Sequence, residues 1–152
     1  MSSYIDAFEK GQEASRKAVI AKKEIKEILE ELKKQLLTAT EGKLEIFIKP
    51  QRESIQGNSL IDMIQNRNFR DYLAIVARNP KSDSNNIKEL AEWNQENTGY
   101  PCKIEWGKEE YTCHDRKSLE SCLTLLLQDP GVAEKLHQLI ILPIPEKKDP
   151  KV

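Results

Sequence analysis

The chain has 152 residues, with 24 lysines and arginines against 25 aspartates and glutamates and a formal net charge of -1. That size holds one ordinary domain, or a small domain with one extended element, and the balanced charge excludes a surface built throughout to grip nucleic acid or acidic lipid. Hydrophobic residues make up 38% and gather in periodic segments, which permits a core. No apolar run approaches the roughly 18 residues that cross a bilayer, and Ser2 and Ser3 lead into charged residues rather than an apolar signal. The three cysteines, Cys102, Cys113 and Cys122, cannot all pair within one chain. The expectation is a cytoplasmic protein with reduced thiols and no membrane partner.

Residues 1–42 read as one long helix. Tyr4, Ala7, Gly11, Ala14, Ala18, Ala21, Ile25, Ile28, Leu32 and Gln35 recur by alternating steps of three and four, the seam of a heptad pattern. Thr40, Glu41 and Gly42 close it. A continuous helix of this length measures on the order of 50 Å, more than a small domain spans, so it must project, bend or pair. The seam is small in its first half and bulky in its second. The second half is expected on the chain's own sheet and the first half, through Ala7, Gly11, Ala14, Ala18 and Ala21, on a second copy. A kink at Gly11 that folds the helix back on its own domain is the alternative.

Residues 43–145 read as an α+β body and 146–152 as a loose tail. Leu44, Ile46 and Ile48 alternate with Glu45 and Phe47 up to Pro50, a short strand with a proline stop. Residues 51–69 are polar and irregular, with a turn signal at Gly57-Asn58 and at most a short helix through Leu60, Ile61, Met63 and Ile64. Asp71 to Arg78 predicts a central strand. Ile87, Leu90, Ala91 and Trp93 suggest a short amphipathic helix ending by Gly99, with Trp93 partly exposed. Tyr100, Cys102, Ile104 and Trp106 alternate with polar neighbours, and the pattern resumes after Gly107-Lys108 through Tyr111 and Cys113. That predicts a hairpin pairing Ile104 with Tyr111 and Cys102 with Cys113. Asp115 and Asp129-Pro130 cap two further helices with stripes at Leu119, Cys122, Leu123, Leu126 and at Val132, Leu136, Leu139, Ile140. Ile140 to Ile144, broken by Pro143, is expected as extended chain pinned to the body. The fold class is therefore α+β: a long N-terminal amphipathic helix, a mainly antiparallel sheet of about four strands, and two C-terminal helices.

Chemical motifs are sparse. The six glycines are scattered, so neither a phosphate loop nor a dinucleotide fingerprint assembles, and no motif calls for a cofactor. A thiol or metal-dependent enzyme would draw on Cys102, Cys113, His114, Cys122 and His137, yet there is no Cys-x-x-Cys knuckle, and no metal ligand set is assigned. Lys49, Arg52, Arg67, Arg70, Arg78 and Lys81 face three acids in their segment, which offers a nucleic-acid surface through Arg52, Arg67, Arg70 and Arg78. Downstream, glutamates gather around the predicted helix and hairpin. The expectation is a non-catalytic protein-binding homodimer that holds another protein through Glu89, Glu92, Trp93, Glu96, Glu109 and Glu110, in the manner of a bacterial immunity protein or antitoxin covering a basic surface.

Overall fold

The computed structural model describes residues 3–54, 69–83 and 85–145. Helix α1 (Ser3–Ala39) is followed by strands β1 (Glu45–Ser54), β2 (Phe69–Arg78), β3 (Ile87–Glu96), β4 (Gly99–Trp106) and β5 (Glu109–Cys113), then helices α2 (Arg116–Gln128) and α3 (Pro130–Ile140). The strands form one antiparallel meander in sequence order. The class is α+β as expected, with five strands in place of about four.

α1 runs unbroken through Gly11 for 37 residues, so the kinked alternative does not hold. It ends where its sequence predicts. The Gly42 N–H donates to the Leu37 carbonyl and the Glu41 N–H to the Thr38 carbonyl, with Glu41 at φ 55 and Gly42 at φ 80, a Schellman closure that satisfies the last carbonyls of the helix.

The β4–β5 hairpin has the register read from its alternation: Ile104 opposite Tyr111 and Cys102 opposite Cys113. Trp106 stacks on Tyr111 with ring centroids 4.7 Å apart. Both predicted caps are present. Asp115 accepts from the Ser118 N–H at 2.8 Å while Ser118 Oγ accepts from the Asp115 N–H, and Asp129 accepts from the Val132 N–H ahead of Pro130.

Three elements differ from expectation. Residues 87–96 are a strand, not a helix. A register shift pairs Ile75 with Ala91 and Val76 with Glu89, leaving Leu90 as the extra residue of a bulge. Leu90, Ala91 and Trp93 are consequently all buried. The extra residue breaks the two-residue period and imitates a helical one. Trp93, 3% exposed, lies between Leu73 and Ile104 in the middle of the sheet. It is core, not a partly exposed contact residue. Pro50 does not stop β1, which pairs with β2 as far as Ser54 opposite Phe69. β1 is an edge strand, where a missing N–H need not cost a ladder bond. Finally, Ile141 and Ile144 are exposed while Leu142 packs on the core, so the apolar end of the chain is only partly pinned. The short helix expected around Leu60 to Ile64 and the tail at 146–152 lie outside the described residues.

One sheet face carries Ile46, Ile75, Ala77, Ala91, Trp93, Cys102, Ile104 and Cys113, which form a single cluster with Ile25 and Ile28 of α1 and the apolar stripes of α2 and α3. The helices therefore share that face. Asn79, the buried polar residue of the described core, donates from Nδ2 to the Leu139 carbonyl at 2.8 Å and accepts from the Lys81 N–H. It ties the β2–β3 connection to the last turn of α3, where an unpaired buried amide would be costly.

Candidate functional site

Two surfaces remain once the core is assigned: the sheet face that carries no helix among the described residues, and the first half of α1.

The helix-free face is built by the alternate residues of each strand. Ala74 and Val76 at its centre are fully buried yet belong to no part of the helix-covered cluster. Their cross-strand neighbours Phe47, Lys49, Glu89 and Glu92 stand around them. Charged groups above this layer are organised in pairs. Arg70 reaches Glu92 at 2.6 Å and Glu53 at 2.9 Å and lies 4.6 Å over the Tyr72 ring. Hydrogen bonds to those two glutamates, Glu92 first, raise its pKa further above the usual arginine range. Tyr72 donates its hydroxyl to Glu89 at 2.7 Å, and that bond, more than burial, pushes the phenol up to about 12. Arg78 pairs with Glu45 at 2.9 Å beside the Phe47 ring.

The register places Glu92 opposite Glu105, and Glu105 opposite Glu110. Three glutamates thus stand in a row across β3, β4 and β5. Like charges directly opposite each other on neighbouring strands oppose sheet pairing. Arg70 relieves one end of the row and Lys103, 3.5 Å from Glu110, the other. Among the described residues no cation lies within ion-pairing distance of Glu105 between them.

The residues named from the sequence are only partly brought together. Glu89, Glu92 and Glu110 share this face. Glu96 sits at the end of β3 beside the β3–β4 turn, Glu109 stands next to the Gly107-Lys108 turn at the opposite end of the sheet, and Trp93 points into the core. Glu105, whose place depends on pairing to two strands at once, completes the row.

The arginines of the nucleic-acid alternative are already engaged. Arg52 donates to Asp71 at 2.9 Å and lies 5.3 Å from the Phe69 ring centroid; this bond holds the Asp71 carboxyl below the usual range. With Arg70 and Arg78, each described arginine of the set has a carboxylate on its fork and an aromatic ring beneath it. Arg67 lies outside the described residues.

The cysteines are free and buried. The neighbouring Cys113, and then burial, pushes the Cys102 and Cys122 thiols up. Cys113 is pulled down by the two neighbouring thiols, Cys102 first, and pushed back by burial. At 1% exposure its sulfur is out of reach of a substrate. His114 and His137 are both exposed. Among the described residues, no group of three His, Cys, Asp or Glu side chains is placed to hold a metal ion, and no helix is long and apolar enough to cross a membrane.

The second surface is the first half of α1. Every residue from Ser3 to Ile20 is exposed except Ala18, which is half-buried. Body contacts begin at Ala21, whose Cβ stands 2.7 Å from where a Cβ on Gly99 would be, and at Glu24, which accepts from the Tyr100 hydroxyl at 2.7 Å. Of the small seam, Ala7, Gly11 and Ala14 are open, whereas Ala21 is taken by the chain's own β3–β4 turn. Tyr4, which opens the seam, is 90% exposed, and sequence reasoning missed the large residues beside it: Phe8 is 66% exposed and Val19 64%, with Ile5 and Ile20 close behind. These residues fall off the small-residue seam, though the spacing of four from Tyr4 to Phe8 was a visible signal. No protein-family model, curated protein or solved structure matches this chain.

Proposed function

We propose that the chain is a non-catalytic protein-binding protein that presents the helix-free sheet face to a basic protein surface and associates with a second copy through the first half of α1. The observation that carries the first part is the row Glu92, Glu105 and Glu110, whose mutual repulsion a cationic partner surface would relieve. Complementary charge across such an interface speeds encounter and selects the partner more than it adds raw affinity. An immunity protein or antitoxin that covers a basic cleft is the type of protein this describes. The buried thiols and the carboxylate-bound arginines favour this reading over thiol chemistry or phosphate contacts.

The test is retention of a partner by a charge-reversed face. Wild-type chain immobilised in extract of its native cell is expected to retain a basic protein, and the variant with Glu92→Lys, Glu105→Lys and Glu110→Lys is expected to lose it while keeping its fold by circular dichroism. Undiminished retention by that variant, or retention of nucleic acid that weakens steeply with salt, would overturn the reading.

A further inference from the structure

A groove of about 420 Å³ runs between α1 and the helix-covered face of β1 and β2. Its floor is apolar, with Ile25 and Leu29 from the helix and Ile46, Ile48 and Ile75 from the sheet, and its rim carries Lys22, Lys26 and Lys33 against one acid, Glu30. The exposed tip of α1 has the opposite character. Tyr4, Ile5 and Phe8 are bare, and between Ser3 and Glu13 there are three acids, Asp6, Glu9 and Glu13, against one base, Lys10. Among the described residues nothing fills the groove and nothing covers the tip. They cannot meet within one chain, because Phe8 and Lys26 lie 18 residues apart on one unbroken helix, roughly 27 Å along its axis.

They can meet between two chains. Tyr4, Phe8, Ser15, Val19, Lys22 and Lys26 succeed one another by steps of four, seven, four, three and four, so the tip's aromatic residues and the groove's lysine wall belong to one stripe of α1. Two such stripes laid antiparallel place each tip beside the other's groove wall. The register that keeps stripe against stripe sets Phe8 against the partner's Lys26 and Ser15 against the partner's Val19. We propose that two copies exchange their helix tips in this way, Tyr4 and Phe8 of each seated over the α1–β1 groove of the other. This rests on the homodimer reading above and replaces the small-residue seam as its interface. The relation is two-fold and closes on itself. The four aromatic rings alone, at about 150–250 Å² each, supply half or more of the roughly 1,200 Å² at which stable interfaces begin.

The experiment uses the whole chain. Light scattering at tens of micromolar is expected to give a mass near 35 kDa, twice the 17.5 kDa of the chain, and the Tyr4→Glu, Phe8→Glu variant is expected to return the single-chain mass with helicity intact. Because the native thiols are buried, engineered cysteines report contacts cleanly: Ser15→Cys with Val19→Cys is expected to give a disulfide-linked dimer under mild oxidation. A wild-type monomer would overturn both the exchange and the homodimer reading. A dimer that cross-links through Ala7→Cys with Ala18→Cys, and not through positions 15 and 19, would overturn the exchange alone and return the interface to the seam.

Discussion

The two halves of α1 share one heptad phase and differ completely in surroundings. From Ala21 onward, Ile25, Ile28, Leu29 and Leu32 meet the sheet and α2; before it, Ala7, Gly11 and Ala14 continue the same seam over nothing. The contrast shows that a heptad records a capacity to pack, while the extent of the body decides how much of that capacity is used. The sheet ends under α1 at the β3–β4 turn, where Gly99 (φ 92) allows the closest approach.

Substitutions on either side of that point should separate the halves. Ile25→Ala, at a site 2% exposed, is expected to lower unfolding free energy by about 2–5 kcal/mol, whereas a change at Ile5 should leave the stability of the single-chain Tyr4→Glu, Phe8→Glu form within about 0.5 kcal/mol; urea titration reads both. A large loss at Ile5 in that background would mean that the tip packs on its own body. Gly99→Ala places a Cβ 2.7 Å from the Cβ of Ala21 and 3.1 Å from the backbone nitrogen of Lys22. It adds the strain of positive φ and is expected to cost more than about 1 kcal/mol. A neutral result would mean that α1 is not held at this turn.

Smaller effects sharpen the embedded side. Asp115→Ala removes the cap of α2 and should cost about 1 kcal/mol. Hydrogen bonds from Ser118, that of the backbone N–H first, hold the Asp115 carboxyl below the usual carboxylate range. The contribution of its charge is thus complete above the unfolded-state pKa and disappears as pH falls through the lower folded value. The melting temperature of the wild type should therefore drop more steeply below about pH 4 than that of Asp115→Asn, and parallel curves would remove the charge from the cap's role. Glu41→Gly relieves a left-handed residue at the end of α1 and is expected to stabilise by up to about 1 kcal/mol. Least of all, Arg16→Ala breaks an exposed pair with Glu13 in the projecting half and should change stability by less than about 0.5 kcal/mol.

Much of the fold was legible because it is local. The β4–β5 hairpin follows from strict alternation around Gly107-Lys108, the caps of α2 and α3 from Asp115 and Asp129, and the long helix from its seam. The candidate face was legible only in part: Glu89, Glu92 and Glu110 were named, but their alignment with Glu105 follows from the pairing of three strands. The misreadings have the same origin. Leu90, Ala91 and Trp93 look helical until the bulge opposite Ile75 and Val76 is known, and Pro50 reads as a stop until β1 is known to be an edge.

Chain chemistry by itself determined which segments are helix, hairpin and cap, since these depend on side chains within a few positions of one another and on backbone groups they can reach. Tertiary structure alone decided that residues 87–96 are a strand, that the glutamates stand in a row, and that α1 outruns its sheet. Each of those depends on a neighbour distant in sequence, and burial and repulsion are set by that neighbour.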